Sequence, residues 1–192
     1  MQQPPTEQDL IVQAQRGSEE AVSLLYEMHV NAIFEFLSYR VDTTYTAEDL
    51  TSEVFIRMVR GLANFTDRGV PFRAWLFRIA ANLVTDHFRQ HQKRDALPLF
   101  DDYPSDDTTL FDEVAKQEEH ARLRIALRAL PEAYQNLLVM RFVDNLPHTE
   151  IATILDKSAD ALRSMQHRAL KALGDKLAEL DQSGGTQEEN QS

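Results

Sequence analysis

Apolar residues recur along this chain at helical spacing, and no stretch alternates in the two-residue rhythm of a half-buried strand. The pattern predicts two N-terminal helices, one over residues 9–17 and one from Ser18 to about Leu37, with Gly17 as the stop and Ser18 as the cap. Ala21, Leu24, Leu25, Met28, Ala32, Ile33, Phe36 and Leu37 give the second of these a broad apolar face. Thr46-Ala-Glu-Asp49 reads as a capping box opening a third helix that runs to Arg60 and stops at Gly61. Residues 64–70 read as a loop, broken by Gly69 and Pro71.

Residues 71–93 predict one long helix with two different faces. Phe72, Leu76, Ile79, Ala80, Leu83 and Val84 form its core stripe. Arg78, Asn82, Thr85, Arg89 and Lys93 follow one another by four, three, four and four residues, so they share the opposite face, with Trp75 at its edge. Cations, an amide and an indole on one face are groups that hold phosphates and stack on unpaired bases. An amphipathic helix with a solvated polar side has the same pattern, so the face alone leaves both readings open.

Residues 95–118 contain two prolines, a run of aspartates and few aliphatics, a composition that buries too little surface to fold and predicts a flexible acidic linker. Periodicity resumes near Glu119. Leu123, Ala126, Leu127 and Leu130 lead up to Pro131, and Leu137, Leu138, Met140, Phe142 and Val143 follow. Residues 150–155, the turn 156–158 and a longer helix from Ala159 then have helix-turn-helix proportions. Leu162, Ala169, Leu173 and Leu180 face inward on the wheel, while Arg163, Ser164, His167, Arg168 and Lys171 face outward. An apolar back with donors near the N-terminal half is what a major-groove helix needs. A helical hairpin with a basic solvated face is the plainer alternative.

The expected architecture is therefore all-α, two small helical domains on one tether. Residues 7–94 form the first and 119–180 the second, with 181–192 as a tail too short and polar to fold. Composition narrows the function classes. The chain has 43% hydrophobic residues and no run near the roughly 18–20 apolar residues of a membrane span. Its first residues, MQQPPTEQD, lack the cationic start and apolar stretch of a secretory signal. With no cysteine there are no disulfides, thiolate metal sites or cysteine nucleophiles. These features point to a cytoplasmic protein without cofactor or direct membrane insertion. The net charge of −11 opposes nucleic-acid binding, but the charge is segregated. Residues 61–94 hold six Arg or Lys against two acids, whereas 96–121 hold eight acids against one lysine.

Taken in order, LIVQAQRGSEEAVSLLYEMH, AEDLTSEVFIRMVRGLANF, PFRAWLFRIAANLVTDHFR, LPEAYQNLLVMRFVDNL, EIATIL and LRSMQHRALKAL resemble the bacterial RNA polymerase sigma factors. The resemblance is to the compact extracytoplasmic-function group, built from sigma domains 2 and 4, and it runs from about Asp9 to Leu180. It implies that the helix around Asp49, Ser52, Glu53 and Arg57 docks on a coiled coil of the polymerase β′ subunit, with the β flap as a further contact. It also implies that the loop with Asn64, Phe65 and Arg68 captures a flipped base of the −10 promoter element. Arg73, Trp75, Arg78, Asn82, Thr85, Arg89 and Lys93 would then hold the melted strand. Arg163, Ser164, His167, Arg168 and Lys171 fall where the family reads the −35 duplex. An anti-sigma factor, often membrane-linked, is the implied regulator, wedged between the domains. No small-molecule substrate or catalytic residue is implied.

Ser52 stands where the docking helix often carries Gln, Pro147 where a Ser cap is usual, and Met165 and Gln166 where a basic and an aliphatic residue are common. Asp160 in the first turn of the reading helix repels phosphate. Weak affinity of the second domain for duplex follows from these departures. Two readings from other classes compete. One is a helix-turn-helix regulator with an N-terminal sensor or dimerisation domain. The other is a metal-dependent enzyme using His87 and His91 beside Asp86; the two histidines have a ligand spacing, i and i+4, but no third and fourth ligands are evident and no glutamate lies inside the pair.

Overall fold

The computed structural model describes residues 5–66, 69–91 and 112–185, and these form helices joined by turns, with no strand among them. The chain divides into two compact units, Met1–Leu99 and Phe100–Ser192.

Among the described residues the first unit holds four helices. Helix α1 (Glu7–Gln15) starts two residues ahead of the expected Asp9, because Thr6 caps it. The Thr6 hydroxyl accepts the Asp9 N–H at 3.2 Å and the Asp9 carboxylate accepts the Thr6 N–H at 3.0 Å. The Thr6 hydroxyl also donates to the Asp9 carboxylate at 2.6 Å, and this bond, with that from the Thr6 N–H, holds the Asp9 carboxyl below its ordinary value. Gly17 then takes φ +94°, a conformation open to glycine at little steric cost. Ser18 accepts the Ala21 N–H and opens α2 (Glu19–Ser38). Ala21, Leu25, Ile33, Phe36 and Leu37 are buried as the wheel predicts, and Leu24 and Ala32 are half-buried. Met28 is not core but 53% exposed, and the neighbouring His29 occupies the inward position.

Helix α3 (Thr44–Leu62) starts before the expected Thr46, because the hydroxyl of Thr43 is the cap and accepts the Thr46 N–H at 3.1 Å. The helix also continues through Gly61 instead of stopping there. Helix α4 (Phe72–His91) packs on α2 and α3. With two partners its buried side is wider than the predicted stripe. Ala74, Phe77 and Ala81 join it, and Ile79 is only half-buried. Phe36 and Phe77 meet edge-on at 5.4 Å in the middle of this core.

The second unit is built around α8 (Ala159–Gly185), against which α5 (Asp112–Arg128), α6 (Glu132–Leu138) and α7 (His148–Ile154) pack. Helix α5 begins at Asp112, inside the segment expected to be linker, and α8 runs to Gly185, past the expected end at Leu180. An Arg122–Asp181 ion pair joins these two helices near the end of α8, where the sequence predicted an unfolded tail. The rest of the expected linker and tail, 95–111 and 186–192, lies outside the described residues. The Gln135 amide donates to the carbonyls of Arg128 and Leu130 and locks the α5–α6 corner. A π-helical turn over Val139–Val143 follows α6, and its extra residue per turn breaks the α-helical register, leaving Phe142 out in solvent instead of in the core.

Candidate nucleic-acid interface

Three rings close the base of the loop before α4. The Phe65 ring lies 5.2 Å from Phe72 and 5.0 Å from Trp75, and Phe72 lies 5.5 Å from Trp75. Trp75 is half-buried, so one part of the indole is anchored and the rest is open. Arg78, Asn82 and Arg89 are exposed on the same helix at the predicted spacing. Asn64 is exposed on the turn leading into the loop. An aromatic edge followed by two guanidinium groups and an amide can stack a base and track a phosphate backbone.

Three expected residues differ from that picture. Phe65 is 8% exposed and faces the ring cluster, so it supports the loop and presents no stacking surface. The Thr85 hydroxyl donates to the Ala81 carbonyl at 2.7 Å, which uses up its donor within the helix. Arg73 is half-buried with its guanidinium 5.5 Å from the Phe77 ring. Arg68 and Lys93 lie outside the described residues. Gly61 reads from the sequence only as a helix stop, and its contact with Trp75 has no local signal. A Cβ there would lie 2.9 Å from Trp75 Cζ2, so glycine makes room for the indole.

On α3, Asp49, Ser52 and Arg57 are exposed, and Glu53 is half-buried with its carboxylate accepting from Arg57 Nε at 2.8 Å. Ile56 and Val59 continue the Asp49–Ser52 face and are 44% and 52% exposed. Sequence reasoning passed over them, because an apolar residue on a helix reads as core until its neighbours are known.

The second unit presents Arg163, Ser164, His167, Arg168 and Lys171 on the exposed side of α8. Pro147 precedes α7 without a side-chain cap, and its carbonyl accepts the Glu150 and Ile151 N–H groups, so the helix starts at His148. Asp156 takes φ +51° in the turn, and Ser158 caps α8 through the Ala161 N–H. Leu162, Met165 and Ala169 are buried, while Leu173 and Leu180 are only half-buried. An open groove of about 590 Å³ runs between the start of α7 and α8, lined by His148, Thr149, Arg163, Gln166 and His167 among others. Gln166 is therefore a groove residue, with its Oε1 buried and without a hydrogen-bond partner. Arg163 is held by Asp160 Oδ1 at 3.0 Å, an exposed contact that competes with any phosphate.

The ring of His87 is half-buried against Phe88, 5.8 Å away, and the side chain of His91 lies outside the described residues. Among the described residues no three His, Cys, Asp or Glu side chains group closely enough to hold a metal ion. None of the described helices is long and apolar enough to cross a membrane.

Residues 25–94 match the family model for Sigma-70 region 2, and residues 120–173 match that for Sigma-70, region 4. The ECF RNA polymerase sigma factor BldN of Streptomyces coelicolor is 34% identical over 167 residues, which cover 86% of this chain and 63% of that protein. The ECF RNA polymerase sigma factor SigX of Bacillus subtilis is 32% identical over 161 residues, covering 81% of this chain and 82% of that one. A solved structure of CnrH in complex with the cytosolic domain of CnrY shares the fold at a TM-score of 0.70 and 24% identity, over 90% of this chain and 97% of that one. The helical face of α4, the helix-turn-helix of α7 and α8 and these matches agree: the chain belongs to the extracytoplasmic-function sigma factors of bacterial RNA polymerase.

Proposed function

We propose that the chain docks on core RNA polymerase through α3, holds the melted strand of the −10 element on α4, and reads the −35 duplex with α8. The observation that carries this reading is the row of half-buried Trp75 and exposed Arg78, Asn82 and Arg89 beside a turn rooted in the Phe65 and Phe72 rings. A solvated helix face has no use for a half-buried indole at the head of such a row. On α3, Asp49 and Glu53 supply the charge that meets a cationic partner, and Ile56 and Val59 supply apolar area next to it. Polymerase performs the chemistry, so this chain contributes position and no catalytic group, and it acts in the cytoplasm with its partners. Its regulator is an anti-sigma factor that covers the polymerase-binding faces.

The direct test is whether core RNA polymerase co-purifies with the chain and starts transcription from a promoter only in its presence. Asp49→Lys/Glu53→Lys places cations where the partner's cations would lie, and is expected to weaken polymerase binding by about 1–3 kcal/mol per reversed contact. Unchanged affinity in that variant would remove α3 from the docking role.

A further inference from the structure

We propose that α1 is a strap that positions the strand-binding edge of the first unit, with Gln15 as its positioning residue. This rests on the reading of α4 as the single-strand face. Helix α1 precedes residues 25–94, the stretch matched by the region 2 family model. Gln15 is its last residue, and its side chain is exposed, yet the amide Nε2 donates to two carbonyls far away in sequence. One is Leu62 O at 3.0 Å, the other Phe65 O at 2.7 Å.

Leu62 ends α3, where helix carbonyls lack intrahelical partners. The turn that follows holds itself by Asn64 N–H to Gly61 O and Phe65 N–H to Leu62 O, each 3.0 Å. Gln15 bridges both ends of that turn from outside and sets where Asn64 projects. It also fixes Phe65, whose ring is the seat of Trp75. The other end of α1 is tied in the same way. Glu7 Oε1 lies 2.8 Å from Nε2 of His29, and the His29 ring lies 5.6 Å from Phe72. Both polar clamps of α1 thus end on residues that touch the ring cluster. The strap couples a helix that bears none of the assigned DNA contacts to the side chains that do.

Gln15→Leu and Gln15→Glu test this in the full-length protein. Gln15→Glu keeps the shape but, when ionised, sets a carboxylate acceptor against two carbonyl acceptors. Trp75 is the chain's one tryptophan, so its emission reports the cluster without a label. Both variants are expected to shift Trp75 emission to the red. Holoenzyme made with either should open a promoter about 3–10-fold more slowly, the effect of one or two lost hydrogen bonds at a partly exposed site, with polymerase affinity unchanged. A role limited to filling space would leave Gln15→Glu like wild type. Normal opening by both variants, with or without a shift in emission, would overturn the proposal. Wild-type holoenzyme that opened no promoter would overturn the assignment of α4 itself, a failure that does not depend on position 15.

Discussion

Replacing Gly61 by alanine sets two known effects against each other at one atom. Gly61 is helical, one residue before the end of α3. Alanine gains up to about 1 kcal/mol over glycine in a helix interior, and less in a last turn. The added Cβ would lie 2.9 Å from Trp75 Cζ2 and 3.4 Å from Cη2. To restore ordinary contact the indole must retreat by about half an ångström, from 2.9 to 3.4 Å. Phe65 at 5.0 Å and Phe72 at 5.5 Å close the inward directions, so the ring moves toward solvent. Overpacking of this kind costs about 1–3 kcal/mol, so strain wins over propensity and the net loss is about 1–2 kcal/mol. That loss leaves the protein folded while the indole is displaced from the strand-binding edge. Urea denaturation followed by circular dichroism measures the first quantity. Trp75 emission and permanganate footprinting of holoenzyme on a promoter measure the second. Gly61→Ala is expected to lose a little stability, shift its emission to the red, and open promoters less well. A variant more stable than wild type, with unshifted emission and normal opening, would show that the indole has spare room and that the argument is wrong.

Two further outcomes follow from other contacts. Asp160→Asn frees Arg163 from an exposed 3.0 Å ion pair and removes a repulsive charge, so duplex affinity of the second unit should rise a few-fold, whereas Arg163→Ala should cost about 1–3 kcal/mol; titration of a −35 duplex separates the two. Burial holds the His29 imidazole below its ordinary value of 6.5 against the pull of Glu7, with Arg73 acting in the same sense as burial. The unfolded chain therefore takes up this proton first. The contribution of His29 is complete above about 6.5 and is lost as pH falls through that value toward the folded-state one. Chemical denaturation at pH 7.5 and 5.5 should show a larger acid loss in wild type than in His29→Gln, which does not titrate; equal losses would remove His29 from the acid response.

How much of this was legible in the chain depended on the range of the interaction concerned. Ser18 as a cap, Gly17 as a stop and the turn at 156–158 were readable because the groups that decide them lie within a few residues. The row Arg78, Asn82 and Arg89 was readable for the same reason, since helical spacing alone sets a face. Errors arose wherever a distant neighbour decided the outcome. Thr46 and Thr43 are equally good cap residues on paper, and backbone geometry selects Thr43. Gly61 reads as a helix stop, but its reason for being glycine is an indole from α4. Phe65 and Phe142 are aromatic residues of similar local character, and packing buried the first and exposed the second. Gln15 sends no local signal, because its partners lie 47 and 50 residues away.

The sequence by itself determined the helical periods, the segregation of charge and the order of motifs, all properties of short stretches of chain. Tertiary structure alone decided which face of each helix is covered, which hydroxyl is spent on its own backbone, and which rings pack around Trp75. The physical reason is that burial and hydrogen bonding are satisfied between elements, and a one-dimensional pattern states what each element offers without naming the partner that takes it.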